Sequence, residues 1–118
     1  MNNLDRIKEI YEMLSSGKAL EAFDTYYADD VVMIEATGDR REGKAANREY
    51  EENFFNNLEA VHGAGADSFA VDEENDITMV ESWMDVTFKD GNRVKMEQVA
   101  RQKWKDGKII EERFYYNA

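Results

Sequence analysis

The chain has 118 residues, enough to bury a core as one domain, and 42% of them are apolar, which excludes a disordered segment. Its net charge of −11, from 15 basic and 26 acidic residues, repels nucleic acid and anionic membrane. With no cysteine and one histidine, it has no disulfide, no thiol nucleophile, no thiolate zinc site and no multi-histidine metal site.

No apolar run nears the ~20 residues of a membrane span. The start, "MNNLDRIKEI", carries charges where a signal peptide would be apolar, so a cytoplasmic location is expected. A glycine-rich phosphate loop and a G-x-S-x-G turn are both missing from the sequence. A carboxylate site for magnesium or calcium would need a clustered Asp/Glu loop, and none is present. The expectation is one domain over residues 1–118, with no metal and no cofactor.

Leu4, Ile7, Ile10, Tyr11 and Leu14 share one helical face, closed by Ser15, Ser16 and Gly17. A short second helix carries Leu20, Phe23 and Tyr27. A strand over 31–35 follows, and its Val31–Met33 face ends in a carboxylate, Glu35. A polar loop then runs through Gly38 to Gly43. The third helix starts near Lys44 and presents Tyr50, Phe54, Leu58 and Val61. Beyond residue 61 the spacing becomes strand-like. Turn signals "ENDI", "KDGN" and "KDGK" separate strands near 64–73, 77–88, 93–104 and 109–116. Helices followed by a meander make an α+β fold: three N-terminal helices on a curved, mostly antiparallel sheet, a cone-shaped pocket of the cystatin-like roll type.

The segment "YADDVVMIEATG", the "REG" before the third helix and the closing "WKDGKIIEERFYYN" resemble the nuclear transport factor 2-like superfamily, in its SnoaL-like branch of polyketide cyclases and relatives of ketosteroid isomerase. The resemblance covers essentially the whole chain. It implies a homodimer through the outer sheet face and a small, apolar or carbonyl-containing ligand. It also places Glu35 where the isomerase keeps its catalytic Asp, and Tyr11 where it keeps an oxyanion-stabilising Tyr. The position of the isomerase's second oxyanion donor is Ala100 here, a departure from the pattern.

Each candidate has two readings. Glu35 is either a general base in a pocket or a carboxylate at a strand end, paired with Arg40 or Arg41. Tyr11 is an oxyanion donor or a core tyrosine. His62, directly after the third helix, suits acid–base work near neutral pH or is structural. Along strand 93–104, the face Val94, Met96, Gln98, Ala100, Gln102, Trp104 is read as inward. Gln98 and Gln102 then either meet a ligand or pair with Glu112 or another strand. On strand 77–88, alignment from "KDGN" puts Trp83 and Asp85 inward, and a β-bulge would swap the faces. Ile110, Glu112, Phe114 and Tyr116 are read as the inward face of the last strand, with Tyr116 near the rim. Tyr50 and Phe54 supply aromatic wall. The combination points to cofactor-free proton transfer next to a carbonyl (isomerisation, cyclisation or dehydration), with Glu35 as base and Tyr11, aided by Gln98 or His62, at the oxyanion. The alternative is a non-catalytic binding or dimerisation module. Epoxide hydrolysis would need an Arg between two acids. Arg101 and Asp85 are the candidates for it, although Arg101 is read as outward.

Overall fold

A computed structural model describes residues 1–117. Helix α1 (Asn3–Ser15) begins with a reciprocal cap. The Asp5 N–H donates to Asn2 Oδ1 at 2.8 Å, and the Asn2 N–H donates to Asp5 Oδ2 at 3.4 Å. It ends at Gly17, whose φ of +77° lets the Lys18 N–H reach back to the Met13 carbonyl at 2.8 Å. Ile7 and Ile10 are its buried face. Helix α2 (Ala19–Tyr26) buries Ala22, Phe23 and Tyr26, and runs without a loop into strand β1 (Tyr27–Ile34). A three-residue strand β2 (Arg40–Glu42) forms inside the segment read as polar loop, paired with the end of β1. Helix α3 (Lys44–Asn56) and strands β3 (Leu58–Asp72), β4 (Ile77–Phe88), β5 (Arg93–Lys105) and β6 (Lys108–Tyr115) complete the chain.

The six strands make one sheet in the order β2-β1-β6-β5-β4-β3. Only the β1–β6 pair is parallel among these neighbours. Three register shifts in the long edge strand β3 curl the sheet. Helix α1 packs against β3 and β4, and α3 against β1 and β2, so the helices cover the concave side. Ile7, Phe23, Val31, Met33, Val80, Trp104 and Ile109 belong to the core between them. This is the α+β cone that the sequence led us to expect. Among the described residues no helix is long and apolar enough to cross a membrane.

Helix α3 is shorter than its apolar spacing suggests. It stops at Asn56, and Leu58 and Val61 are drawn into β3, where they pair with Phe88 and Val86. His62 therefore lies within a strand. On β4 the inward residues are Thr78, Val80, Ser82 and Val86, which reverses the expected face and puts Trp83 and Asp85 outside. The cause is the β4–β5 turn. Lys89, Asp90 and Gly91 form a three-residue loop with Gly91 at φ +91°, closed by the Phe88 N–H to the Asn92 carbonyl at 2.8 Å. A two-residue Asp-Gly turn would have given the other register. That turn type occurs at Asp106-Gly107, both at positive φ. Past it, Ile110 is an extra residue on β6, so Ile109 rather than Ile110 is buried while Glu112 stays inward.

Candidate active site

Glu35 sits one residue past β1. Its backbone closes the β1–β2 turn, with its N–H on the Asp39 carbonyl at 2.9 Å and its carbonyl taking the Gly38 N–H at 2.8 Å. Both side-chain oxygens are engaged. Oε2 accepts from Arg41 Nη2 at 2.6 Å, and Oε1 accepts from the Tyr116 hydroxyl at 2.8 Å. The pair is mostly buried, and Arg40 instead lies near Glu42, at 4.0 Å. Arg41 is fixed in turn by Asn47, whose Oδ1 accepts from its Nε at 3.2 Å. The guanidinium stacks over the Tyr50 ring at 3.5 Å. The Asn47 amide donates to the carbonyls of Gly43, Arg41 and Val31 at 2.8, 3.0 and 3.4 Å, which ties α3 to both strands.

A second carboxyl lies deeper. Glu112 is 3% exposed. Its Oε1 accepts from the Tyr27 hydroxyl at 2.5 Å and its Oε2 from Gln102 Nε2 at 2.7 Å. Gln102 Oε1 takes the Thr78 hydroxyl at 2.7 Å, and Thr78 Oγ1 takes the Trp104 indole N–H at 2.9 Å. Thus Gln102 makes the pairing with Glu112 that the sequence left open against a ligand contact. Burial pushes the Glu112 carboxyl above the ordinary carboxylate range, while its Tyr27 and Gln102 donors pull it back down.

Glu51, on α3, faces the same interior. Burial and the nearby Glu112 charge push it up to about 7, and Arg41 only partly offsets them. Among the described residues no side chain hydrogen-bonds to Glu51. Tyr11 is half-buried, with its ring edge-on to Phe69 at 5.9 Å. Burial first and then Glu112 drive its phenol well above the usual range; Ser82 opposes them, and Glu51 adds the smallest push. The phenol stays a proton donor at any physiological pH.

Glu35, Glu51, Glu112, Tyr11 and Tyr27 therefore share the inner side of the sheet, with Tyr116 at its rim, and Arg41 meets this group through Glu35. Among the described residues no group of acids or His is placed to hold a metal ion. A surface cleft of about 490 Å³ opens beside it and is lined in part by Ser82, Gln98, Tyr116 and Asn117. It touches the buried Ser82 and the exposed Tyr116, and does not touch Glu35. A second cleft, of about 390 Å³, lies at the far end of α1 against the β5–β6 turn.

The remaining expected site residues scatter. Phe54 meets Phe88 edge-on at 6.0 Å, at the far end of α3. Trp83 lies on the outer face across Gly65, where a Cβ would come within 2.9 Å of its indole nitrogen. His62 is exposed on that side too, 2.7 Å from the Thr87 hydroxyl. Asp85 pairs with Arg93 and Arg101 with Glu111, so no Arg stands between two inward acids there. Sequence reasoning passed over Glu51 and Asn47, and it named Arg41 only as a partner for Glu35, which it is, and Tyr27 only as an apolar helix residue. A signal existed: positions 47, 50, 51 and 54 follow the i, i+3, i+4, i+7 helical pattern. Counting only its apolar members hid the two polar ones.

A model of the SnoaL-like domain matches residues 1–116. The chain belongs to the SnoaL-like domain family. No curated protein matches it in sequence. A solved Mesorhizobium loti protein, provisionally described as a SnoaL-like polyketide cyclase with carbohydrate phosphatase as a second description, is 34% identical. The match covers 98% of this chain and 100% of that one at a TM-score of 0.85. A Bacillus subtilis protein provisionally described as an isomerase shares the fold at 16% identity, covering 99% and 90% of the two chains with TM-score 0.82. So does TerC, co-crystallised with polyporic acid, at 17% identity, 98% and 91% coverage and TM-score 0.78. These SnoaL-like and isomerase-like relatives share the architecture, and at such identities the last two speak for the fold alone.

Proposed function

We propose that this SnoaL-like protein binds a small, largely apolar carbonyl compound inside the cone and moves a proton next to the carbonyl without a cofactor. One arrangement carries the reading: Glu51, an interior carboxyl that no described side chain hydrogen-bonds and that burial pushes up to about 7, shares the interior with Tyr11, whose phenol burial pushes well above its usual range. Glu51 removes a proton from the carbon beside the carbonyl, and the C–H electron pair moves onto the carbonyl oxygen. Tyr11 donates a hydrogen bond to the resulting enolate oxygen. Protonated Glu51 returns the proton to a conjugated carbon, which completes an isomerisation; in a cyclisation the enolate carbon instead attacks a second carbonyl carbon of the ligand, that carbonyl's π pair moves to its oxygen, and Glu51 protonates the new alkoxide. Glu35 is the less suited base, because Arg41 and Tyr116 already occupy both its oxygens. The pair instead shapes the rim. That the neighbour TerC was co-crystallised with polyporic acid supports a small-molecule role for this fold.

The test uses cyclic ketones and enones that raise the melting temperature. In deuterated buffer, wild type exchanges their α-hydrogens, and Glu51→Gln loses roughly 100-fold or more of that rate while still binding. Exchange that survives in Glu51→Gln and vanishes in Glu35→Gln would return the base to Glu35.

We also propose that a second copy of the chain covers the outer sheet face. Met79, Val99 and Tyr115 are 42%, 36% and 48% exposed there, and Val99 pairs with Tyr115 across adjacent strands. Sedimentation should show a dimer that Val99→Lys converts to monomer. A wild type that sediments as a monomer at high concentration rules this out.

A further inference from the structure

The buried polar chain behind Glu112 has a direction. Trp104 can only donate, so Thr78 Oγ1 must accept from it at 2.9 Å. The Thr78 hydroxyl proton is then turned toward Gln102 Oε1, at 2.7 Å. That fixes which end of the Gln102 amide is oxygen, and so presents its NH₂ to Glu112 Oε2 at 2.7 Å. Reversing the Gln102 amide would leave the Thr78 hydroxyl proton without an acceptor and set Gln102 Oε1 against Glu112 Oε2 in the core, where Thr78 and Gln102 are fully buried. Glu112 Oε2 is therefore always an acceptor. Any proton on Glu112 is confined to Oε1, which faces Tyr27.

We propose that Thr78 and Gln102 are positioning residues whose one-way donor chain from Trp104 holds Glu112 as a fixed acceptor, leaving Glu51 as the carboxyl that exchanges protons with a ligand. The proposal rests on the proton-transfer reading above and deepens it. The mechanism uses one interior acid as its base, so the second must be kept from competing with it, and identical residue types become different only through their surroundings. Glu112 has two protein donors. Glu51 has none among the described residues. The charged and titratable groups around the two are Glu35, Arg41, Tyr11 and Tyr27. Arg41 is the one cation among them, and Glu35 already engages it at 2.6 Å. When Oε1 is unprotonated, the Glu112 charge therefore falls on Glu51 with only Arg41 to offset it in part.

Carbon-detected NMR of the side-chain carboxyls, without any ligand, tests this. Thr78→Val keeps the shape and removes the hydroxyl, so the Gln102 amide is no longer oriented. The Glu112 midpoint should then rise, and the Glu51 midpoint should fall by about half a pH unit or more as the opposing charge is lost. The Trp104 indole N–H should shift and exchange faster with water. Thr78→Ser, which restores a hydroxyl, should return all three signals to wild type. Gln102→Met breaks the chain one link later and should move the two carboxyls in the same directions, which covers the case of a Thr78→Val that fails to fold. The proposal is overturned if the indole signal moves while both carboxyl midpoints stay, or if Thr78→Ser behaves like Thr78→Val. Neither outcome touches the α-hydrogen exchange assay, so failure of the chain and failure of the proton-transfer reading are told apart.

Discussion

Glu51→Gln is expected to melt roughly 8 °C above wild type at about pH 8 and level with it near the ordinary Glu midpoint of 4.5. The folded midpoint of Glu51 is about 7, raised from 4.5. Between those values the native state holds a proton that the unfolded chain has released, so stability falls as pH rises through this window. Below 4.5 both states are protonated and Glu51 costs nothing. Above about 7 the full penalty applies. A shift of this size is worth about 3 kcal/mol in a fully buried group, and about 2 kcal/mol after allowance for the solvent that reaches Glu51. Glutamine keeps the shape and has no charge to desolvate, so it removes the penalty. Thermal melts of both proteins across this range are the measurement. A gain of equal size at all pH values would mean the charge is not the cause. No gain at about pH 8 would mean that Glu51 is better solvated than its position indicates. A carboxyl kept where it lowers stability is what a proton-transfer site requires.

What the sequence made legible follows from periodicity. The Val31–Met33 face, the Ile7–Ile10 stripe and the three turn signals led to the cone because each repeats a pattern set by backbone geometry. The misplaced face of β4 turned on a single residue. Whether "KDGN" closes two or three residues decides where Trp83 points, and both loops suit Asp-Gly. The extra residue at Ile110 is the same kind of event, and it depends on where Trp104 and Ile109 must both be buried. Glu35 stood out because it ended an apolar face. Glu51 shares a helical face with Asn47, Tyr50 and Phe54, which sets it apart from the exposed Glu49, but that spacing does not say what the acid meets inside. It meets the charge of Glu112, far away in sequence on β6. A site built from three carboxyls on three separate elements leaves no spacing to read.

Asn47→Asp tests the frame that holds this site, and should destabilise the protein by about 3 kcal/mol at neutral pH. Asn47 is 0% exposed and uses both ends of its amide. Its NH₂ group meets the carbonyls of Gly43, Arg41 and Val31, and its oxygen meets Arg41 Nε. Aspartate has nearly the same shape and retains the acceptor. However, it turns the donating end into an oxygen facing three carbonyl oxygens. The attraction to Arg41 does not rescue it, because Arg41 is already neutralised by Glu35 at 2.6 Å. The buried carboxyl will hold its proton more tightly folded than unfolded. The loss should therefore be small in acid, where a protonated group can donate one bond, and should grow as pH rises through the folded midpoint. Denaturant melts at about pH 4 and about pH 7 separate this from simple loss of packing, which would be the same at both. A loss under about 1 kcal/mol at neutral pH would show that the three carbonyls have other donors and that α3 does not depend on this side chain. The position matters to the chemistry as well. Asn47 lies one helical turn before Glu51, so the contact that fixes Arg41 also sets how deeply α3 presents its acid to the interior.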